Sequence, residues 1–332
     1  MHYQTTTYSG EETALETFSA FQREHYREDP FFRPSGPPPS SAVGIVLRAG
    51  DQICGHAALV NNPGIRIDGK PTLLTGWYEC IDDADAARVL LNSVCTVAKE
   101  RGAERLLGPL NGDTWHSYRF AENPESRPFF LDIHHKPWYP QQFLSAGFSP
   151  CARYHSSRVE LANLRIDRTE RFLERYAGQG ITVRELRTED FQREIHGIYD
   201  ISIQAFRENL YYTPLGWEEV MRLYMPLQNI VDSQFVLIAE NRENRPLGFA
   251  FAIPDLYDKS GRTLVIKTVA VRPEPETRGL GTLLAELLHE RGAHAGYKYA
   301  VHALMQDSNA STNVLRDHSS IIRRYALYSR TL

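Results

Sequence analysis

The chain has 332 residues, of which 42% are hydrophobic and 23% charged, with a formal net charge of −4 and a pI near 6.3. That length exceeds what one compact core accommodates efficiently and suits two domains. No stretch approaches the roughly 20 apolar residues of a membrane span, and the acidic balance speaks against an extended nucleic-acid surface, so neither membrane nor nucleic acid is an expected partner.

Met1-His2-Tyr3-Gln4-Thr5 shows no basic flank leading into an apolar run, so no secretory signal is read and a cytoplasmic location is expected. Cys54, Cys80, Cys95 and Cys151 are too scattered for a disulfide framework or a zinc site and read as reduced thiols. The Pro- and Ser-rich run at 32–41 reads as a surface loop, because the segment before it is too short for a core. Residues 43–48 and 53–60 predict a strand pair turning at Ala49-Gly50-Asp51-Gln52, and 72–81 a longer strand. After Asp82-Asp83 comes a helix with Ala87, Leu90, Leu91, Val94 and Ala98 on one face, stopping at Arg101-Gly102 before a strand at 105–110.

The stretch from Gly108 to Arg119 is polar and aromatic. Its Trp115, His116, Tyr118 and Arg119 suit either substrate contact or packing between domains. His134-His135 reads as no metal site, since adjacent strand residues point apart and no third ligand is spaced nearby. Trp138 to Phe143 predicts a short helix ending toward Gly147-Phe148.

A charged helical stretch at 168–175 stops at Ala177-Gly178-Gln179-Gly180, and the domain boundary is expected there: 1–165, a linker helix at 166–179, and 180–332. The second half repeats the order of the first. Strands at 235–239 and 247–253 turn through Asn241-Arg242-Glu243-Asn244, and 264–271 is the long strand. A helix striped with Leu280, Leu283, Leu284, Leu287 and Leu288 stops at Arg291-Gly292 before a strand at 299–304. An offset of about 190 residues overlays the two amphipathic helices, which predicts a divergent tandem repeat. Each copy is expected to be an α/β unit with a mixed, mostly antiparallel sheet flanked by helices.

The segment from Val269 to Thr282 runs from the long strand through Arg278-Gly279-Leu280-Gly281 into the leucine-striped helix. Free N–H groups and the positive dipole end at such a helix start favour an anion, and glycines let its oxygens approach the backbone. The alternative is that Arg278 to Gly281 merely caps a core helix. This segment resembles the acyl-CoA pyrophosphate loop of the GNAT acetyltransferase superfamily: Arg or Gln, two residues, Gly, one residue, then Gly or Ala. Arg278 and Gly281 match that pattern, while Leu283 stands where its last small residue belongs.

The resemblance covers most of 181–332 and implies acetyl-CoA as acyl donor. It implies pantetheine against Val269, Ala270 and Val271, diphosphate on Arg278, Gly279, Leu280, Gly281 and Thr282, and a cofactor contact from Asn309, whose alternative is capping a helix. The first half has the acidic run 80–85 where the loop would be, so it reads as a degenerate copy that does not bind CoA.

The resemblance further implies direct attack of an amine on the thioester within a ternary complex. A base often stands on the long strand as a carboxylate, where this sequence has Lys267, either a holder of an anionic substrate group or a solvated strand lysine. Arg316 falls where the usual acid, a tyrosine, is expected; Tyr325 and Tyr328 read as substitutes or as packing. No catalytic residue is assigned. Acceptor contacts are expected from the loop joining the first two helices, with Phe206, Asn209, Tyr211 and Tyr212, which equally suits an ordinary packed loop. The function read here is N-acetyl transfer to a primary amine of a small molecule. Its rivals are a non-catalytic acyl-CoA or metabolite sensor and a tRNA-dependent aminoacyl transferase, the latter disfavoured by the acidic pI.

Overall fold

A computed structural model describes residues 2–9, 11–123, 126–164, 169–307 and 319–332, with side chains from Glu16 onward in the first helix. The chain divides into two compact units. The first comprises Met1–Pro128, Ile133–Tyr154 and Arg323–Leu332; the second comprises Phe129–Asp132 and His155–Ile322.

The first unit carries β1 (Gln4–Ser9), α1 (Glu11–His25), β2 (Val43–Ala49), β3 (Gln52–Val60), β4 (Thr72–Cys80), α2 (Ala84–Glu100), β5 (Arg105–Gly108), β6 (Phe120–Ala121) and α3 (Tyr139–Ser145). The expected strand pair is β2 and β3, antiparallel from Val43 opposite Leu59 to Ala49 opposite Gln52. The stripe predicted for the first amphipathic helix faces inward on α2: Ala87, Leu90, Leu91, Val94 and Ala98 are all buried. They pack with Ile45, Leu47, Tyr78, Phe143 and Tyr328 in one apolar core. A core of this kind is the main favourable term in forming the unit, at about 1.5–3 kcal/mol for each large apolar side chain fully buried.

The second unit carries α4 (Thr169–Gly178), β8 (Thr182–Glu185), α5 (Phe191–Ala205), α6 (Trp217–Tyr224), β9 (Val236–Glu240), β10 (Pro246–Pro254), β11 (Thr263–Val271), α7 (Leu280–His294) and β12 (Tyr299–Gln306). Neighbours β8, β9, β10 and β11 are antiparallel, and β11 runs parallel to β12. The predicted leucine stripe, Leu280, Leu283, Leu284, Leu287 and Leu288, is buried against Leu237, Leu247, Leu264 and Ile266. Val265, one residue out of phase with Leu264 and Ile266, packs instead with Ile253, Val301 and Phe129, as the two-residue alternation of a strand dictates.

Two strands travel between the units. The strand β7 (Ser149–Glu160) begins in the first and enters the second at His155, while β13 (Ser319–Thr331) does the reverse at Arg323. The strand order is β1-β2-β3-β4-β5-β13-β7 in the first unit and β7-β12-β11-β10-β9-β8 in the second. This places the division elsewhere than the expected 1–165 and 180–332. Within the expected linker helix, Thr169–Gly178 form α4, whose Tyr176 is 1% exposed within the second core. The last ten residues complete the first sheet, with Tyr328 opposite Gly108. Mixed sheets flanked by helices are as expected, and no described helix is long and apolar enough to cross a membrane.

Candidate functional site

In the second unit β11 pairs with β12 from Thr263 opposite Tyr299 to Ile266 opposite His302, and there the pairing ends. At the same point β11 has one extra residue relative to β10: Phe251 lies opposite Thr268 but Ala252 opposite Ile266, leaving Lys267 as a bulge. A bulge bends its strand and sharpens the local twist. The two parallel strands therefore part at Lys267. From Thr268 to Val271, β11 is held on its other edge by β10.

Beyond Val271 the chain turns and enters α7. Tyr176 fixes that turn by donating its hydroxyl to Arg278 O at 2.9 Å. Thr277 helps by donating to Arg272 O at 2.6 Å. The helix N-cap is Gly279, left-handed at φ 91°, with no side-chain hydrogen bond to the first turn. A residue with a Cβ pays strain at that φ, so the turn requires glycine. The amides of the first turn, at Leu280, Gly281 and Thr282, have no partner within a helix of standard geometry.

Gly281 does a different job from Gly279. A Cβ there would meet Val269 Cγ1 at 3.6 Å and Val271 Cγ1 at 3.8 Å, ordinary contacts. The helix start thus lies against the far end of β11, bringing Val269 and Val271 together with Gly281. Arg278 and Gly279 are exposed, Gly281 and Thr282 half-buried, while the Leu280 side chain belongs to the core and offers only its backbone. Asn309, with Asn313 and Arg316, lies outside the described residues.

Lys267 is half-buried, and its Nζ donates to Leu131 O at 2.6 Å. It is therefore not the freely solvated strand lysine that one reading of the sequence offered. Leu131 belongs to the four-residue segment Phe129–Asp132, which comes from the first half of the chain but packs in the second unit. Phe130 N donates to Asp255 Oδ1 at 2.8 Å, and its ring meets Tyr257 edge-on at 5.7 Å. Nothing in the sequence marked this segment, since its partners lie more than a hundred residues away.

Phe206, Asn209, Tyr211 and Tyr212 follow α5 and are all half-buried. The rings of Phe206 and Tyr212 meet at 6.3 Å. Burial raises the Tyr212 hydroxyl above its ordinary range, with Tyr199 and Tyr224 adding to the effect. The loop's own contacts make it a packed aromatic cluster at the end of a helix that lies on β10 and β11. Sequence reasoning also passed over His155, whose Nδ1 meets Asp307 Oδ1 at 2.6 Å with His155 only 9% exposed. Tyr325 and Tyr328 are buried in the first unit, as the packing reading held.

Residues 195–317 match the family model of the acetyltransferase (GNAT) family. That match lies within the second unit, which is thus similar to GNAT acetyltransferases. No curated protein sequence matches the chain. Among solved structures, a tandem GNAT protein from the clavulanic acid biosynthesis pathway superposes with a TM-score of 0.54 at 12% identity, over 99% of this chain and 98% of the other. A GCN5-related N-acetyltransferase from Anabaena variabilis gives 0.56 at 10% identity, over 99% and 73%. A fungal multi-domain GH3 β-N-acetylglucosaminidase with a GCN5-related glucosamine N-acetyltransferase region gives 0.54 at 13% identity; the chain covers 38% of that protein. At these identities the likeness is one of fold, and the fold is that of two tandem GNAT-like units.

The corresponding place in the first GNAT-like unit is built differently. There β4 pairs with β5 from Thr72 opposite Arg105 to Leu74 opposite Leu107. The residues after β5 do not part from β4: Leu110 N donates to Thr75 O at 2.9 Å, and Trp77 N donates to Asn111 Oδ1 at 2.7 Å. At the start of α2, Asp83 accepts from Ala86 N at 2.8 Å and caps the helix. That hydrogen bond is the chief reason its carboxyl lies below the ordinary aspartate value. Each of the paired histidines has its own partners: His134 Nε2 meets Asp29 Oδ2 at 2.8 Å, while His135 Nε2 accepts from Ala121 N at 2.7 Å and its Nδ1 donates to Lys136 O at 2.8 Å. Burial drops the His135 pKa to about 3, so its ring is neutral and both nitrogens are in use.

Proposed function

We propose that the chain is an acetyl-CoA-dependent N-acetyltransferase that acts, in the cytoplasm, on a primary amine of a small molecule by direct attack in a ternary complex. One observation carries this reading: the second unit leaves β11 unpaired with β12 beyond Ile266 and follows it with an uncapped helix start at Gly279. Backbone groups of 269–271 would hold the pantetheine arm and the amides of 279–282, with Arg278, the diphosphate. A helix start of this kind accepts an oxyanion through free N–H groups aligned with the dipole. When bound, acetyl-CoA supplies an activated acyl thioester; the chain's share is to bind, orient and exclude water.

Acceptor contacts are assigned to Lys267 and to Phe206, Asn209, Tyr211 and Tyr212. The bulge that separates the strands also aims the Lys267 side chain, and Leu131 O holds its ammonium. A fixed cation there suits an acceptor bearing an acidic group.

The test is calorimetric titration of acetyl-CoA into wild type and Gly281→Asp. The aspartate has room toward Val269 and Val271 and suits the first turn of a helix, so the variant folds. Two lost charge-assisted hydrogen bonds predict roughly hundredfold or greater weakening. Unchanged affinity would falsify the diphosphate assignment. A non-catalytic acyl-CoA sensor is the second reading, favoured by a lysine in place of the strand carboxylate. Thiol release from acetyl-CoA across a panel of amines separates the two: turnover with any amine removes the sensor.

A further inference from the structure

Arg119 follows β5 in the first unit, on the polar and aromatic stretch that the acyl-transfer reading does not use. Its backbone is left-handed at φ 66°, and its N–H donates to Pro109 O at 2.9 Å. That turn carries the side chain inward, leaving the residue 5% exposed. The guanidinium carbon lies 3.9 Å from the Tyr118 ring centroid and 4.2 Å from that of Tyr154. The two rings stabilise the cation and fix the orientation of its plane, but they leave its in-plane donors unmatched.

Two of its nitrogens are unmet. Nε and Nη1 are sealed from solvent without a hydrogen-bond partner among the described residues. Asp113, the acidic residue of the same loop, is occupied elsewhere: its Oδ1 accepts from Trp115 N at 2.8 Å and His116 N at 3.2 Å, and it faces His116 Nδ1 at 3.0 Å. A buried cation with no counter-charge among the described residues and two donors without an acceptor is costly, and such orphaned groups in a folded protein ask for an ion or water.

We propose that Arg119 anchors a small oxyanion, a carboxylate or phosphate group, in the first unit. Each bidentate edge of a guanidinium pairs Nη2 with Nε or with Nη1, so an anion that meets Nη2 also satisfies one of the orphaned nitrogens. The clamp of Tyr118 and Tyr154 holds the fork in place before binding, which lowers the entropic cost of recognition. The start of α2, where an anion would otherwise sit in this unit, is already taken by Asp83. This site is independent of the acyl-CoA reading of the second unit.

The experiment titrates the full chain with sodium acetate and, separately, with inorganic phosphate at constant ionic strength. It follows the Arg119 Nε–H resonance and the melting temperature. A saturable shift of that resonance is expected, with a rise in Tm on the order of 5 °C at a hundredfold excess over Kd. Arg119→Met loses both responses, and Arg119→Lys, which keeps the charge without the fork, binds about tenfold more weakly. A stronger response to acetate identifies a planar group and to phosphate a tetrahedral one; either supports the site. No saturable shift with either ion, or an identical melting response in wild type and Arg119→Met, overturns it. Should Arg119→Met not fold, undiminished affinity in Arg119→Lys overturns it equally.

Discussion

In both units the long strand is irregular past the end of its parallel ladder, at Lys267 on β11 and at Trp77, with φ 46°, on β4. What happens next differs. In the second unit the pairing stops at Ile266 and His302. In the first, Asn111 supplies from a side chain the acceptor that a neighbouring strand would have supplied, 2.7 Å from Trp77 N. A backbone amide within a protein has to be paired by something. In this architecture the strands part where strand groups are left without a neighbouring strand, as on β11, and the parting is closed by one amide side chain beside an acidic helix cap, as on β4.

The two glycines of these regions give the sharpest test of that contrast. A Cβ on Gly76 would lie 2.5 Å from Leu110 O and 2.6 Å from Asn111 Oδ1, whereas one on Gly281 would lie 3.6 Å from its nearest neighbour. Gly76→Ala is expected to lower stability by about 3 kcal/mol, as overpacking against backbone does. Gly281→Ala should cost under about 1 kcal/mol, since alanine favours a helix. Denaturant unfolding measures both, and equal losses break the comparison. Asn111→Ala comes next: it strands the buried Trp77 amide and should cost about 2 kcal/mol. A melting temperature that does not move would mean the amide finds another acceptor.

Asp83→Ala should have a smaller effect than Asn111→Ala, about 1 kcal/mol for a lost helix cap. Here pH refines the test. The Asp83 carboxyl is depressed in the folded chain, so its contribution is present above the unfolded aspartate value and is lost as pH falls through the folded one. The gap between wild type and Asp83→Ala should close in acid and stay constant near neutrality. A gap that persists in acid shows that the carboxylate is not what holds α2.

The repeated helices were legible because their signal is local: Leu90, Leu91 and Val94 in one, and Leu283, Leu284 and Leu287 in the other, recur at helical spacing and are buried. The glycine-bearing turn into α7 was legible for the same reason, although its two glycines looked alike. Only backbone geometry separates Gly279, which needs its left-handed φ, from Gly281, which does not. The strand exchange left no trace in the sequence, since alternation along β13 reads the same whichever strand lies beside it. Asn111 was equally silent. A polar residue after a strand reads as loop until one knows that Trp77 has turned its amide toward it. The Phe129–Asp132 segment and the pairing of Lys267 with Leu131 depend on contacts that no local pattern announces.

The crossing of β7 and β13 has a consequence for how this polypeptide matures. The slot beside β5 is filled by Tyr328 to Thr331, residues that leave the ribosome after those of the second unit. A nascent chain released from the tunnel up to Gly180 holds the other strands of the first sheet yet keeps that edge bare, so the half that is made first is finished only after the whole second unit has been made.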